Sequence, residues 1–188
     1  MAEPGGSSPI GPYPPGVETD EHRVEYDKLR RRVLWKMPYG LYVIGSRGNE
    51  SHLKCLMTAN WVSQLSFDPK WVGVGIEHKA LTHRLIEEGG CFSVCLIRRE
   101  DRAIVRKFTK PVEIGAAAHT LDEFPVVERV TGAPILAQSV AFLDCAVRDR
   151  LEAGHHTFFA GEVLDCGFLT DEETPILRME DTRMNYGG

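Results

Sequence analysis

From Leu41 onward the chain is written in short runs of β-branched and aromatic residues, punctuated by glycine, proline and charged turns. This pattern constrains the fold more than any other feature. Leu41 to Ile44, Leu53 to Phe67, Trp71 to Ile76 and Cys91 to Ile97 read as strands. The C-terminal third returns to the same character with Ser139 to Arg150 and Thr157 to Phe168. The stretch Leu151 to His156 between them, which contains Gly154, is hairpin-sized. Pro175 to Met179 reads as a last strand. Strands linked mainly by turns predict a mainly β, antiparallel barrel rather than a parallel doubly wound sheet.

Helical spacing is confined to a few places. Tyr26, Leu29, Val33 and Met37 lie on one face of a helix expected over Asp20 to Met37, with acids at its start, arginines further along, and Pro38 and Gly40 beyond its end. Ala80 to Glu88 reads as a short helix closed by Gly89-Gly90. Arg98 to Lys110 is charged around a weak stripe of Ile104, Val105 and Phe108, and Pro111 to Pro134 reads as a long connection. Residues 1–19, rich in proline and glycine, bury too little apolar surface to offset their ordering entropy and are expected to form a disordered tail. Residues 20–188 are expected to form a single domain.

Charge and cysteine usage exclude several classes. The net charge of −5, from 22 basic and 27 acidic residues interspersed along the chain, provides no basic surface for nucleic acid. The five cysteines form no C-x-x-C and no zinc spacing, so they read as buried free thiols in a reducing compartment. With neither a leader pattern nor an apolar run long enough to span a membrane, a cytoplasmic protein is expected.

Two stretches could carry chemistry. Thr58-Ala59-Asn60-Trp61-Val62-Ser63-Gln64-Leu65-Ser66 is a strand dense in small polar groups. Such a strand is either a wet edge or the wall of a site that offers hydrogen bonds to a planar, polar-edged ligand. Glu77-His78-Lys79-Ala80-Leu81-Thr82 opens the short helix, where free N–H groups beside a hydroxyl and a lysine suit either an ordinary cap or a phosphate.

Together with the run Met57 to Pro69, the spacing to Thr82 and the stretch Gly90 to Val94, the segment Gly154-His155-His156-Thr157-Phe158-Phe159-Ala160-Gly161-Glu162-Val163 resembles the flavin reductase-like FMN-binding split-barrel family over roughly Met37 to Leu177. The resemblance implies a split β-barrel of Greek-key type with short flanking helices, working as an NAD(P)H:flavin oxidoreductase. It also implies that Thr58, Ala59, Asn60, Trp61, Gln64, Leu65 and Ser66 line the flavin of FMN. Lys79 and Thr82, with His78 nearby, would hold the phosphate. His156 would face the flavin where nicotinamide, from NADH or NADPH, stacks. A homodimer is implied, as is an electron acceptor such as free flavin, an oxygenase or oxygen.

The chain departs from the family in its Gly-Asp-His-Thr turn, where His155 stands in place of the acid. An adjacent histidine pair invites a metal, but neighbours in an extended strand point to opposite faces, so no metal is expected. A non-enzymatic FMN electron carrier without a nicotinamide site is the alternative reading.

Overall fold

A computed structural model of the chain describes residues 11–50, 53–109, 112–114, 120–121 and 124–184. The backbone divides into two compact units, one ending at Met37 and the other running over Pro38–Met184. In the first, α1 spans Asp20–Leu34. The Thr19 side chain caps it by accepting from the His22 N–H at 3.2 Å, and its acids and arginines lie at the ends that the helix dipole favours. It stops short of the expected Met37. Of the expected tail, residues 1–10 lie outside the described residues. Tyr13 is set against α1, its hydroxyl donating to Asp27 at 3.2 Å with the Arg30 guanidinium over its ring.

The second unit carries β1 (Tyr42–Arg47), β2 (Lys54–Ala59), β3 (Val62–Phe67), β4 (Lys70–Glu77), α2 (Leu81–Gly89), β5 (Cys91–Leu96) and α3 (Arg102–Lys107). After these come β6 (Val112–Ile114), β7 (Thr120–Leu121), β8 (Phe124–Glu128), β9 (Pro134–Leu136), β10 (Ala141–Ala153) and β11 (His156–Phe168). An antiparallel eight-stranded sheet has the order β3-β4-β11-β10-β5-β1-β2-β6, and β7, β8 and β9 form a second, smaller sheet.

Alternation explains the burial: Val72, Val74 and Ile76 of β4 point into one core cluster with Ile44, Ile86, Phe92 and Phe159. A second cluster gathers Leu41, Val43, Ile135, Phe142 and Leu177, together with Ile104 and Val105 of α3 and Phe108 at its C-cap. Each fully buried phenylalanine, such as Phe92 or Phe159, contributes on the order of 2–3 kcal/mol.

Four expectations need correction. The run Leu53 to Phe67 is two strands: β2 pairs with β1 and β3 with β4, so the chain must turn between them at Asn60 and Trp61. The connection Pro111 to Pro134 contains β6, β7 and β8, whose short pairings leave little periodicity to read. Pro175 to Met179 forms only isolated bridges, Arg98 to Ile176 and Gly40 to Arg178, around the buried Leu177. The hairpin turn is shorter than Leu151 to His156, because Ala153 pairs with His156 and leaves only Gly154 and His155 outside the ladder.

Candidate functional site

The site forms where β4 ends and β11 begins, beside the corner that separates β2 from β3. At that corner Val62 N–H donates back to the Asn60 carbonyl, and Gly75 N–H donates to the Trp61 carbonyl at 2.9 Å. The Trp61 side chain lies against β4 at Gly75, where an added Cβ would sit 3.2 Å from its ring. The missing side chain is what lets the indole approach the strand.

The last pair of the β4–β11 ladder is Glu77 with His156, and His78 N–H donates to the His155 carbonyl at 3.0 Å. The start of α2 and the β10–β11 turn are thereby held side by side.

His156 is 8% exposed, with its ring 4.6 Å from the Trp61 ring. Its Nδ1 lies 3.0 Å from Nδ1 of His155, while its buried Nε2 has no hydrogen-bond partner among the described residues. The amide nitrogen of Asn60, which is 3% exposed, is likewise buried and unpartnered. Burial holds His156 below the ordinary histidine value, and the neighbouring His155 and His78 act in the same direction against Glu77. The histidine pair does not splay to opposite faces as expected. Gly154, at a positive φ of 66°, and His155 occupy the turn rather than an extended strand, which lets the two imidazoles meet.

Behind this pair runs a chain of polar contacts. Glu152 Oε2 accepts from Thr157 Oγ1 at 3.0 Å and from His78 Nε2 at 3.1 Å. Thr157 has a single hydroxyl proton and gives it to Glu152, so it accepts from His83 Nε2 at 2.7 Å, which fixes the His83 tautomer. His83 Nδ1 faces Glu87 at 3.4 Å, and Glu87 pairs with Arg150 at 2.6 Å. Burial lowers the His83 pKa, opposed by Glu87. Glu152, Thr157, His83 and Glu87 read as ordinary polar residues in the sequence, and only strand pairing assembles them.

The expected site residues divide. Asn60, Trp61, His78 and His156 come together at these strand ends, with the exposed Lys79, which makes no ion pair among the described residues, at the start of α2. Thr58 turns its hydroxyl to the Val105 carbonyl at 2.6 Å, tying β2 to α3, and Ala59 is packed in the core. Gln64, Leu65 and Ser66 lie further along β3, at a bulge opposite Val72 and Trp71. Gln64 lines a cavity of about 520 Å³ with Tyr42, Trp71, Leu143 and Val163. The Thr82 hydroxyl points inward, 3.3 Å from Cys55 Sγ, so only the backbone N–H of Thr82 remains for an anion. Among the described residues no three His, Cys, Asp or Glu side chains converge as a metal site, and no helix is long and apolar enough to cross a membrane.

The antiparallel sheet thus gathers, at its strand ends, buried unpartnered polar atoms, an indole and a helix start. The chain belongs to the flavin reductase like domain family, which matches residues 34–187. It is 32% identical over 150 residues to the NAD(P)H ferric-chelate reductase of Archaeoglobus fulgidus, covering 75% of this chain and 82% of that protein. The structure of the NADH:FAD oxidoreductase of Streptomyces globisporus C-1027 superposes with a TM-score of 0.70 at 25% identity, over 93% of this chain and 98% of that one. A diflavin flavoprotein of Synechocystis is 32% identical over 129 residues, or 66% of this chain, which spans only 20% of that larger protein. The fold is the split barrel of these reductases.

Proposed function

We propose that this protein is an NAD(P)H-dependent flavin reductase that binds FMN at the ends of β4 and β11. The observation that carries this reading is two buried polar atoms without partners among the described residues, His156 Nε2, whose ring lies against Trp61, and Nδ2 of the adjacent Asn60. Leaving such a group unsatisfied costs about 1–3 kcal/mol, which a ligand with polar edges recovers. The residues present fit a flavin: Trp61 offers an aromatic face, Asn60 a donor and His156 a ring nitrogen. Lys79 and the first-turn N–H groups of α2 supply positive charge for a phosphate.

When bound, the flavin accepts hydride from nicotinamide and passes the electrons on. The chain orients the reactants and manages protons. Trp61 and Gly75 shape the floor, Asn60 fixes the polar edge, and His156 holds a proton at Nε2 or lends its lone pair there. Glu152, through Thr157 and His78, keeps the turn that carries His156 in place.

A homodimer accompanies this reading. Its support is the apolar surface of β3 and β11, where Phe67 is 82% exposed and Leu65, Leu164 and Phe168 are also exposed. A reducing cytoplasm suits five free cysteines, four of them buried. The acceptor is free flavin, oxygen or an oxygenase.

The test is an anaerobic visible spectrum of the protein with FMN, then with FAD, before and after adding NADH or NADPH, against a protein-free control. Protein-dependent bleaching is expected. A perturbed flavin spectrum that neither nicotinamide bleaches would overturn the reductase reading in favour of an electron carrier.

A further inference from the structure

We infer that His155 and His156 form a two-imidazole proton relay, through which His155 takes protons from solvent and delivers them by way of His156 to the buried side of the site. The inference rests on the reductase reading above and adds to it a residue and a path.

Four observations carry it. His155 is exposed in the turn and His156 is buried at the first position of β11, so the pair spans the boundary between solvent and interior. Their Nδ1 atoms are 3.0 Å apart, a hydrogen bond that requires one proton between two basic nitrogens. The ring planes are inclined at 75°, so the contact is edge-on rather than a stack. Finally, His156 Nε2, at the far end of the second ring, is buried and has no partner among the described residues.

An imidazole takes a proton at one nitrogen and releases one from the other. Reduction of flavin by nicotinamide takes up one hydride, carrying both electrons, from the nicotinamide C4–H bond, and one proton from the medium. His156 gives that proton from Nε2 and takes up the Nδ1 proton of His155, whose exposed Nε2 takes a proton from the medium, which leaves the pair with its tautomers exchanged. Once the reduced flavin leaves, a solvent proton returns to His156 Nε2, the shared proton moves back to His155 Nδ1 and His155 releases its Nε2 proton, so protons and electrons balance with no further reactant.

The charged and titratable groups that face His156 are Glu77 across the ladder, His78 at the start of α2 and His155 itself. Glu77 favours the proton on His156 and the two histidines oppose it. Burial favours the neutral ring. A neutral buried imidazole needs an external proton source on each turnover, and the ring hydrogen-bonded to it is that of His155.

His155 acts through His156, so its test must separate relay from scaffold. The variants are His155→Phe, which keeps the edge but has no proton to pass, and His155→Gln, which can donate one hydrogen bond but cannot relay. The exposed turn position leaves the core untouched. The first readout needs no flavin: long-range ¹H–¹⁵N spectra of the imidazoles in the protein alone, followed across pH. One Nδ1 protonated and the other bare is expected, and the His156 titration should change in His155→Phe. An unchanged His156 titration in that variant would overturn the shared proton.

The second readout is stopped-flow reduction of FMN by NADH in H₂O and D₂O. Both variants should be slower by about tenfold, less than the roughly 10²–10⁴-fold that a positioned acid contributes directly, because His155 acts through His156. They should also show a larger solvent isotope effect, and added imidazole should restore the rate. Wild-type rates and pH profile in both variants would refute the relay while leaving the reductase standing. A wild-type protein that does not reduce flavin would instead defeat the reductase reading and the use of the relay, and the imidazole spectra would still decide whether the proton is shared.

Discussion

Replacing Thr157 by valine tests the polar chain behind the site with almost no change in shape. Thr157 is fully buried, and its hydroxyl both donates to Glu152 and accepts from His83. Valine keeps the volume and the β-branched fit of β11 but removes the oxygen. The donated bond contributes little, because the Glu152 side chain is 59% exposed and water replaces the lost partner. The accepted bond decides the outcome. The His83 side chain is only 9% exposed and its Nε2–H is left without an acceptor, a loss of about 1–3 kcal/mol. A loss of about 2 kcal/mol corresponds to a fall in Tm of about 4–8 °C for a chain of this size. Urea unfolding of the single variants and of the double variant with His83→Leu supplies the coupling. The double variant should lose about 1 kcal/mol less than the sum of the singles, since removing both partners leaves no orphaned N–H. A Thr157→Val protein within about 0.5 kcal/mol of wild type, or strict additivity, would refute the reasoning.

Other perturbations give equally direct outcomes. His156→Ala should slow flavin reduction by NADH at least tenfold while changing FMN affinity less than threefold, read by stopped flow and fluorescence titration; general acid–base groups typically contribute about 10²–10⁴-fold. Burial holds both His83 and His156 below the ordinary 6.5, so below that pH the unfolded chain binds more protons than the folded one. Stability should therefore fall from pH 7 to pH 5.5, and the slope should flatten in His83→Gln, which keeps the facing Glu87, His78, Glu152 and Arg150. Burial raises the thiols of Cys91 and Cys95 and pushes that of Cys145 up to about 12, while Cys55 is fully buried. A disulfide reagent should accordingly titrate no more than one thiol in the native protein and all five after denaturation. Gly45→Ala should cost at least about 3 kcal/mol, seen as insoluble expression, because the added Cβ would overlap the Pro134 carbonyl oxygen and the Ser93 hydroxyl.

The sequence alone determined the class of the fold and most of its strands. Alternating runs such as Trp71 to Ile76 have one arrangement that buries every second side chain, and the glycine-closed helix after them is capped by Gly90 in the left-handed conformation. Motifs in order along the chain identified the family and brought Asn60, Trp61, His78 and His156 forward as site residues. What local pattern could not resolve was set by pairing partners. The turn at Asn60 and Trp61 exists because β2 and β3 join different neighbours, and both lie within one run that reads as a single strand. Residue types likewise do not say which way a hydroxyl points: Thr58 and Thr82 looked like ligand groups, yet one ties β2 to α3 and the other is packed against Cys55. Glu152, Thr157 and His83 join only when the hairpin β10–β11 closes against the start of α2, contacts separated by as many as 74 positions in the chain. The two adjacent histidines meet for the same reason, since strand pairing put His155 in the turn and His156 in the ladder. Short-range chemistry writes elements into a sequence, whereas a site depends on long-range contacts whose geometry exists only after the sheet has formed.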